Sequence, residues 1–236
     1  MSEGIADGSG LMAFWATIDN DYLLRFQQWH NCEHVPERVA IPGFLRGRRY
    51  RDLEGEPFFL MLYETASPDT LASQSYLSAL NNPTAWTKEA LTHFRDPARN
   101  IYKLRVDIGE PRSNPAPYLT AMRFNLNSDN ANSSLELIAG EWLNSLTGIS
   151  AIRRACLYEV DQAITAIITS ERMIYGKGPG AQQFLILIEA DLPHELWNAK
   201  LADSTKSTFR GEDPMVHLRS DSFWLEFSYL PATVVS

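Results

Sequence analysis

Phe59-Leu60-Met61-Leu62-Tyr63-Glu64 and Phe184-Leu185-Ile186-Leu187-Ile188-Glu189 are two versions of one apolar, strand-forming hexapeptide set 125 positions apart. Just upstream of each, Gly43-Phe44-Leu45-Arg46-Gly47-Arg48-Arg49 lies over Gly148-Ile149-Ser150-Ala151-Ile152-Arg153-Arg154 at an offset of 105. Two local likenesses in the same order read as an internal repeat. The difference between the offsets places an insertion at Val160 to Gln182, and its Gly176-Lys177-Gly178-Pro179-Gly180 run reads as a flexible loop. That run lacks the spacing of a phosphate-binding loop.

Working outward, Met12 to Ile18 reads as a strand, and Asp19-Asn20-Asp21 supplies capping groups for a helix that runs to Glu33 and His34 and stops before Pro36. Leu45 to Tyr50 and Phe58 to Tyr63 form a hairpin, a helix covers Leu71 to Leu80, Asn82-Pro83 opens another over Thr84 to Phe94, and Ile101 to Ile108 is a strand. The order β-α-β-β-α-β is the ferredoxin-like unit. It returns as Leu119 to Asn125, Ser133 to Leu146, Ala151 to Glu159, Phe184 to Ala190, Pro193 to Leu201 and Ser222 to Tyr229. The expected organisation is α+β: a ferredoxin-like half over residues 1–110, a proline-containing linker over 111–117, and a second half over 118–236.

The 236 residues, 44% of them hydrophobic, suffice for a sizeable core. A net charge of −8 argues against nucleic acid as a partner, because phosphate contacts need clustered Lys and Arg. Arg46, Arg48, Arg49 and Arg51 alternate along a strand, so they divide between its two faces. Neither a signal peptide nor a membrane-length apolar stretch is evident, so no membrane partner and a cytoplasmic location are expected. Cys32 and Cys156 fit neither a disulfide framework nor a zinc site.

Chemistry concentrates on the first helix. Tyr22, Leu23, Phe26 and Trp29 share a face at helical spacing, with Glu33 near its middle and His30 at its edge. A carboxylate on such a face needs a partner, for which Arg48 or Arg49 on the neighbouring strand is the candidate. His34 has the side chain whose ordinary pKa lies nearest neutrality. The residues alone support two readings: His34 as acid/base, or His34 as a helix cap with Glu33 anchoring an arginine. His30 and His34 could share a metal, but no third ligand is indicated and no metal is expected. His93, His194 and His217 read as solvated. Tyr63, Tyr76 and Trp86 suit either core packing or a planar organic ligand.

The run Trp29, Glu33-His34-Val35-Pro36-Glu37-Arg38, followed by Ile41-Pro42-Gly43-Phe44 and Arg48-Arg49-Tyr50, resembles the EthD-like and muconolactone isomerase-like families of the dimeric α+β barrel superfamily. The resemblance implies that both halves form an intramolecular dimeric α+β barrel. It also implies a cofactor-independent lyase or isomerase of aromatic catabolism that acts on a small aromatic or cyclic organic acid. His34 would be the acid/base and Glu33 its orienting partner, with Trp29, Arg48, Arg49, Tyr63 and Trp86 around the substrate. A cofactor-free monooxygenase of phenols, and a non-catalytic ligand-binding or assembly protein, are the alternatives. A homodimer is compatible with each. The second half has no His-x-Pro, and Ala139 falls opposite His34 at the offset of 105, so the chemistry is assigned to the first half and haem is not expected.

Overall fold

The stretch Gly10–Ile18 is apolar at nearly every position and forms β1, which is buried on both faces as such runs usually are. Around it, the computed structural model describes residues 8–111, 115–127, 130–210 and 214–231. These fall into two compact units. One holds the described residues up to Lys103, residues 160–180 and those from Leu225 onward; the other holds residues 104–159 and 181–224. The expected linker lies partly outside the described residues.

In the first unit β1 pairs antiparallel with β3 (Phe58–Thr65) and β4 (Phe94–Gly109), and β3 pairs with β2 (Phe44–Asp52). The end of β8 (Met215–Tyr229) borders β2, giving the order β4-β1-β3-β2-β8. In the second unit β5 (Tyr118–Leu126) pairs with β7 (Phe184–Ala190) and β8, β7 pairs with β6 (Ile152–Val160), and the end of β4 borders β6. Both β4 and β8 start earlier than the sequence suggested. Each carries a bulge against its neighbour, marked by Asp96 and His217 at positive φ. The bulge in β4 takes in Pro97, which a regular central strand would not tolerate.

Helices follow the expected order with different ends. Leu23–Trp29 is α1, His30–His34 is a π turn, and Val35–Val39 is α2, so the helical run continues past Pro36. The amide of Val35 bonds to the carbonyl of His30, five residues back. Pro36 then falls at the start of the next α segment, where its missing N–H costs least. Gln74–Asn81 and Ala85–Leu91 are α3 and α4, capped by Ser73 and Thr84. In the second unit α5 (Ala131–Leu137), a π turn (Ile138–Trp142) and α6 (Leu143–Leu146) repeat the first pattern, and α9 spans Asn198–Phe209.

These features correct the register of the repeat. The bulge between Phe44 and Arg46 recurs between Ile152 and Arg154, and Arg46 opposite Glu64 recurs as Arg154 opposite Glu189. From the π turn to this strand the two units therefore correspond at an offset of 108 rather than 105, and Trp142, not Ala139, ends the turn that His34 ends in the first unit. The insertion is partly helical. After β6, α7 (Gln162–Thr165) and α8 (Ser170–Tyr175) belong to the first unit, capped by Asp161 and Thr169. Its glycine-rich end is tied by the Gly180 amide to Asn100 Oδ1 at 2.8 Å and by the Lys177–Asp96 ion pair.

Each unit has its own core. The first packs Phe14, Phe26, Trp29, Phe59, Tyr63 and Phe94 among others, and the second centres on Phe124, Trp142, Leu143 and Ile188. Gly47 lets α2 approach β2 closely, since a Cβ there would lie 2.7 Å from Val35 Cγ1 and 3.3 Å from the Tyr63 ring. Among the described residues no helix is long and apolar enough to cross a membrane.

Candidate active site

The π turn decides what faces the interior. It advances less rotation per residue than an α turn, so beyond Trp29 the phase slips: His34 moves toward the apolar face, and Glu33 moves to its edge. His30 and His34 both line an enclosed cavity within the first unit, with Trp29, Tyr63 and Phe94 among its aromatic walls. The free space is about 20 Å³, room for roughly one water.

His34 packs against Trp29 with ring centroids 4.4 Å apart and the ring planes tilted by 36°. Its Nδ1 is buried and has no hydrogen-bond partner. Burial, reinforced by the charge of Arg38, holds its pKa well below the ordinary histidine value. The ring is therefore neutral at neutral pH and able to accept a proton. Glu33 does not line the cavity. Its Oε1 accepts from the Thr84 hydroxyl at 2.6 Å and the Thr87 hydroxyl at 3.3 Å, and Thr87 in turn accepts from Trp29 Nε1 at 3.1 Å. Its partners are thus hydroxyls at the start of α4 instead of the expected Arg48 or Arg49. Through Thr87, Glu33 fixes the indole on which His34 rests.

His30 is 1% exposed and sits at the centre of a buried chain. Arg49 Nε donates to Glu226 at 2.6 Å, and Arg49 Nη1 donates to His30 Nδ1 at 3.1 Å. Arginine has no acceptor, so Nδ1 carries the lone pair and Nε2 carries the proton, which points to Tyr63 Oη at 3.4 Å. Burial, then Arg49 and His34, keep His30 neutral. Burial also drives the Tyr63 pKa upward. The phenol stays protonated and, already accepting from His30, has its own O–H to give to a bound oxygen.

The structure brings Trp29, His34 and Tyr63 to one cavity and places Arg49 behind His30. Arg48 is elsewhere: with Arg46 it lies on the opposite face of β2, paired to Glu64 at 2.6 Å and bonded to Tyr50 Oη at 2.6 Å. Trp86 lies under the guanidinium of Arg25 at 4.7 Å and does not line the cavity. Three cavity residues escaped sequence reasoning. Arg38 is four residues from His34, a signal hidden once the helix was ended before Pro36; Arg99 lies in the early part of β4, and Glu171 in the insertion. His93 also differs from expectation, stacking on Tyr22 at 3.8 Å and bonding Asp19.

An open groove of about 760 Å³ in the second unit, walled by Met122, Leu201, Phe209 and Leu218, has no comparable convergence of buried polar groups.

No protein-family model matches the chain, and no curated protein sequence matches it. Solved structures do. An anthrone oxidase-like protein superposes with a TM-score of 0.63 at 8% identity, covering 96% of this chain and 95% of that one. Provisionally assigned monooxygenases of Fusobacterium nucleatum (0.61, 7%, 94% and 95%) and Lactobacillus acidophilus (0.60, 6%, 94% and 96%) superpose similarly. This chain shares its fold with these proteins over nearly its whole length. At such identities the likeness extends to fold alone.

Proposed function

We propose that the cavity beside His34 is the active site of a cytoplasmic, cofactor-independent enzyme acting on a small aromatic or cyclic organic acid, by an EthD-like or muconolactone isomerase-like lyase or isomerase reaction. The observation that carries this reading is the buried, unpartnered Nδ1 of a neutral histidine on the wall of an enclosed aromatic cavity. In this mechanism Nδ1 of His34 takes a proton from carbon or a phenol of the substrate. The Tyr63 O–H, set by His30 and Arg49, stabilises the resulting oxyanion. Trp29 supports the imidazole and Glu33 supports Trp29. The anion is then reprotonated at another carbon, giving isomerisation, or expels a leaving group, giving elimination. The two halves would derive from duplication, with the second unit losing the histidine; a homodimer is compatible with this reading.

A second reading is favoured by the structural neighbours, which include an anthrone oxidase-like protein and proteins assigned as monooxygenases. There the same deprotonation yields an electron-rich anion that dioxygen oxidises. Product analysis under air and under argon separates the two, since only oxidation requires oxygen. In both readings His34→Gln lowers kcat by about 100- to 10,000-fold. Unchanged turnover in that variant would remove both.

A further inference from the structure

The mechanism leaves three charged groups of the cavity wall unused: Arg38, Arg99 and Glu171. Arg38 is 2% exposed. One terminal nitrogen pairs with Glu171, the other reaches Glu37 Oε1 at 3.3 Å near the surface, and Nε is buried without a partner. Arg99 donates to Tyr76 Oη at 3.2 Å and, among the described residues, forms no ion pair. Glu171 is the one carboxylate on this wall, and it feels the charge of both arginines. Arg38 is thus shared between Glu171 and the part-exposed Glu37, while Arg99, among the described residues, has no carboxylate bonded to it. The unpartnered Nε of Arg38 and the guanidinium of Arg99 leave N–H donors on this wall to which a carboxylate is the complementary partner.

Sterics point to how that anion enters. A cavity of about 20 Å³ holds no organic acid until a wall moves. Glu171 comes from α8, a six-residue helix in the insertion whose Met173 is 68% exposed. An acid that replaces the Glu171 carboxylate at Arg38 restores the ion pair it breaks and frees α8 to move outward. We propose that Arg38 and Arg99 together bind the carboxylate of the substrate acid, and that Glu171 on α8 holds that place in the empty protein until the acid displaces it. This inference rests on the cavity being a ligand site for an organic acid.

The test is binding at pH 8, above the raised pKa of Glu171 so that its carboxylate is ionised, measured by tryptophan fluorescence or calorimetry with benzoate and phenylacetate against benzamide and phenylacetamide. The acids should bind the wild type about tenfold or more tightly than the amides, as expected of a charge-assisted pair. Glu171→Gln should bind the acids about tenfold more tightly than wild type, because the competitor has lost its charge. Glu171→Asp, whose side chain is one methylene shorter, should shift the same way and covers the case of a poorly folded Gln variant. Arg99→Gln should erase the preference for acids. Amides binding as well as acids, or neither Glu171 variant tightening the acids, would overturn the inference. Because turnover is not the readout, the acid preference should persist in His34→Gln, so failure of the acid/base reading remains separable from failure of this one.

Discussion

Neutral His30, which is buried, and His34, which is half-buried, should give the protein a loss of stability on acidification that their removal relieves. Both rings have folded-state pKa values held well below the ordinary value of about 6.5. The unfolded chain therefore binds protons that the folded chain refuses, and the stability each contributes above pH 6.5 is lost as the pH falls. Between pH 7.5 and 5.5 a histidine that stays wholly neutral in the folded state costs about 1.4 kcal/mol, so the pair sets a ceiling of about 2.7 kcal/mol. Glu171 acts oppositely. Burial pushes it up to about 7, so the folded state holds its proton where the unfolded chain does not, and its contribution falls as pH rises from the ordinary carboxylate range to 7. Comparing wild type with the His30→Asn/His34→Gln double variant cancels Glu171, which both proteins keep. Urea denaturation followed by tryptophan fluorescence at pH 7.5 and 5.5 should show wild type losing more stability than the double variant, by up to about 2.7 kcal/mol. Equal losses in the two proteins would refute the claim that these histidines are held neutral.

Thr87→Val removes the hydroxyl linking Trp29 to Glu33 and leaves a buried indole N–H without its acceptor, so it should destabilise by about 1–3 kcal/mol in urea titrations; a change below that of an ordinary surface substitution would count against the linkage. Glu64→Gln leaves the buried Arg46 and Arg48 facing a neutral group and should cost about 3–5 kcal/mol while leaving affinity for aromatic acids unchanged, because these arginines lie on the other face of β2. Lost affinity at retained stability would return Arg48 to the site.

The topology was legible because its signals are local. Apolar runs bounded by Pro-Gly and Asn-Pro punctuation, with two repeated strand segments, are enough to order the elements. The alternation of the four arginines along β2 was equally readable: Arg46 and Arg48 meet Glu64, whereas Arg49 meets Glu226. What could not be read was the π turn. A regular helical phase puts Glu33 at the centre of the buried face and stops at Pro36; one wide turn moves His34 there and carries the helix on to Arg38. Arg99 was hidden by a bulge around Pro97, and Glu171 sits in a segment whose glycines suggested only a loop. Contacts between residues so distant in sequence leave no periodic trace.

The most direct test of the central claim is hydrogen exchange into a carbon acid. Phenylpyruvate, and anthrone under argon, would be incubated in D₂O with the protein, and loss of the enolisable C–H signal followed by proton NMR. The account predicts exchange well above the buffer rate with the wild type, reduced about 100-fold or more in His34→Gln and in Tyr63→Phe. Exchange at the buffer rate with the wild type for both compounds, or exchange undiminished in His34→Gln, would contradict it.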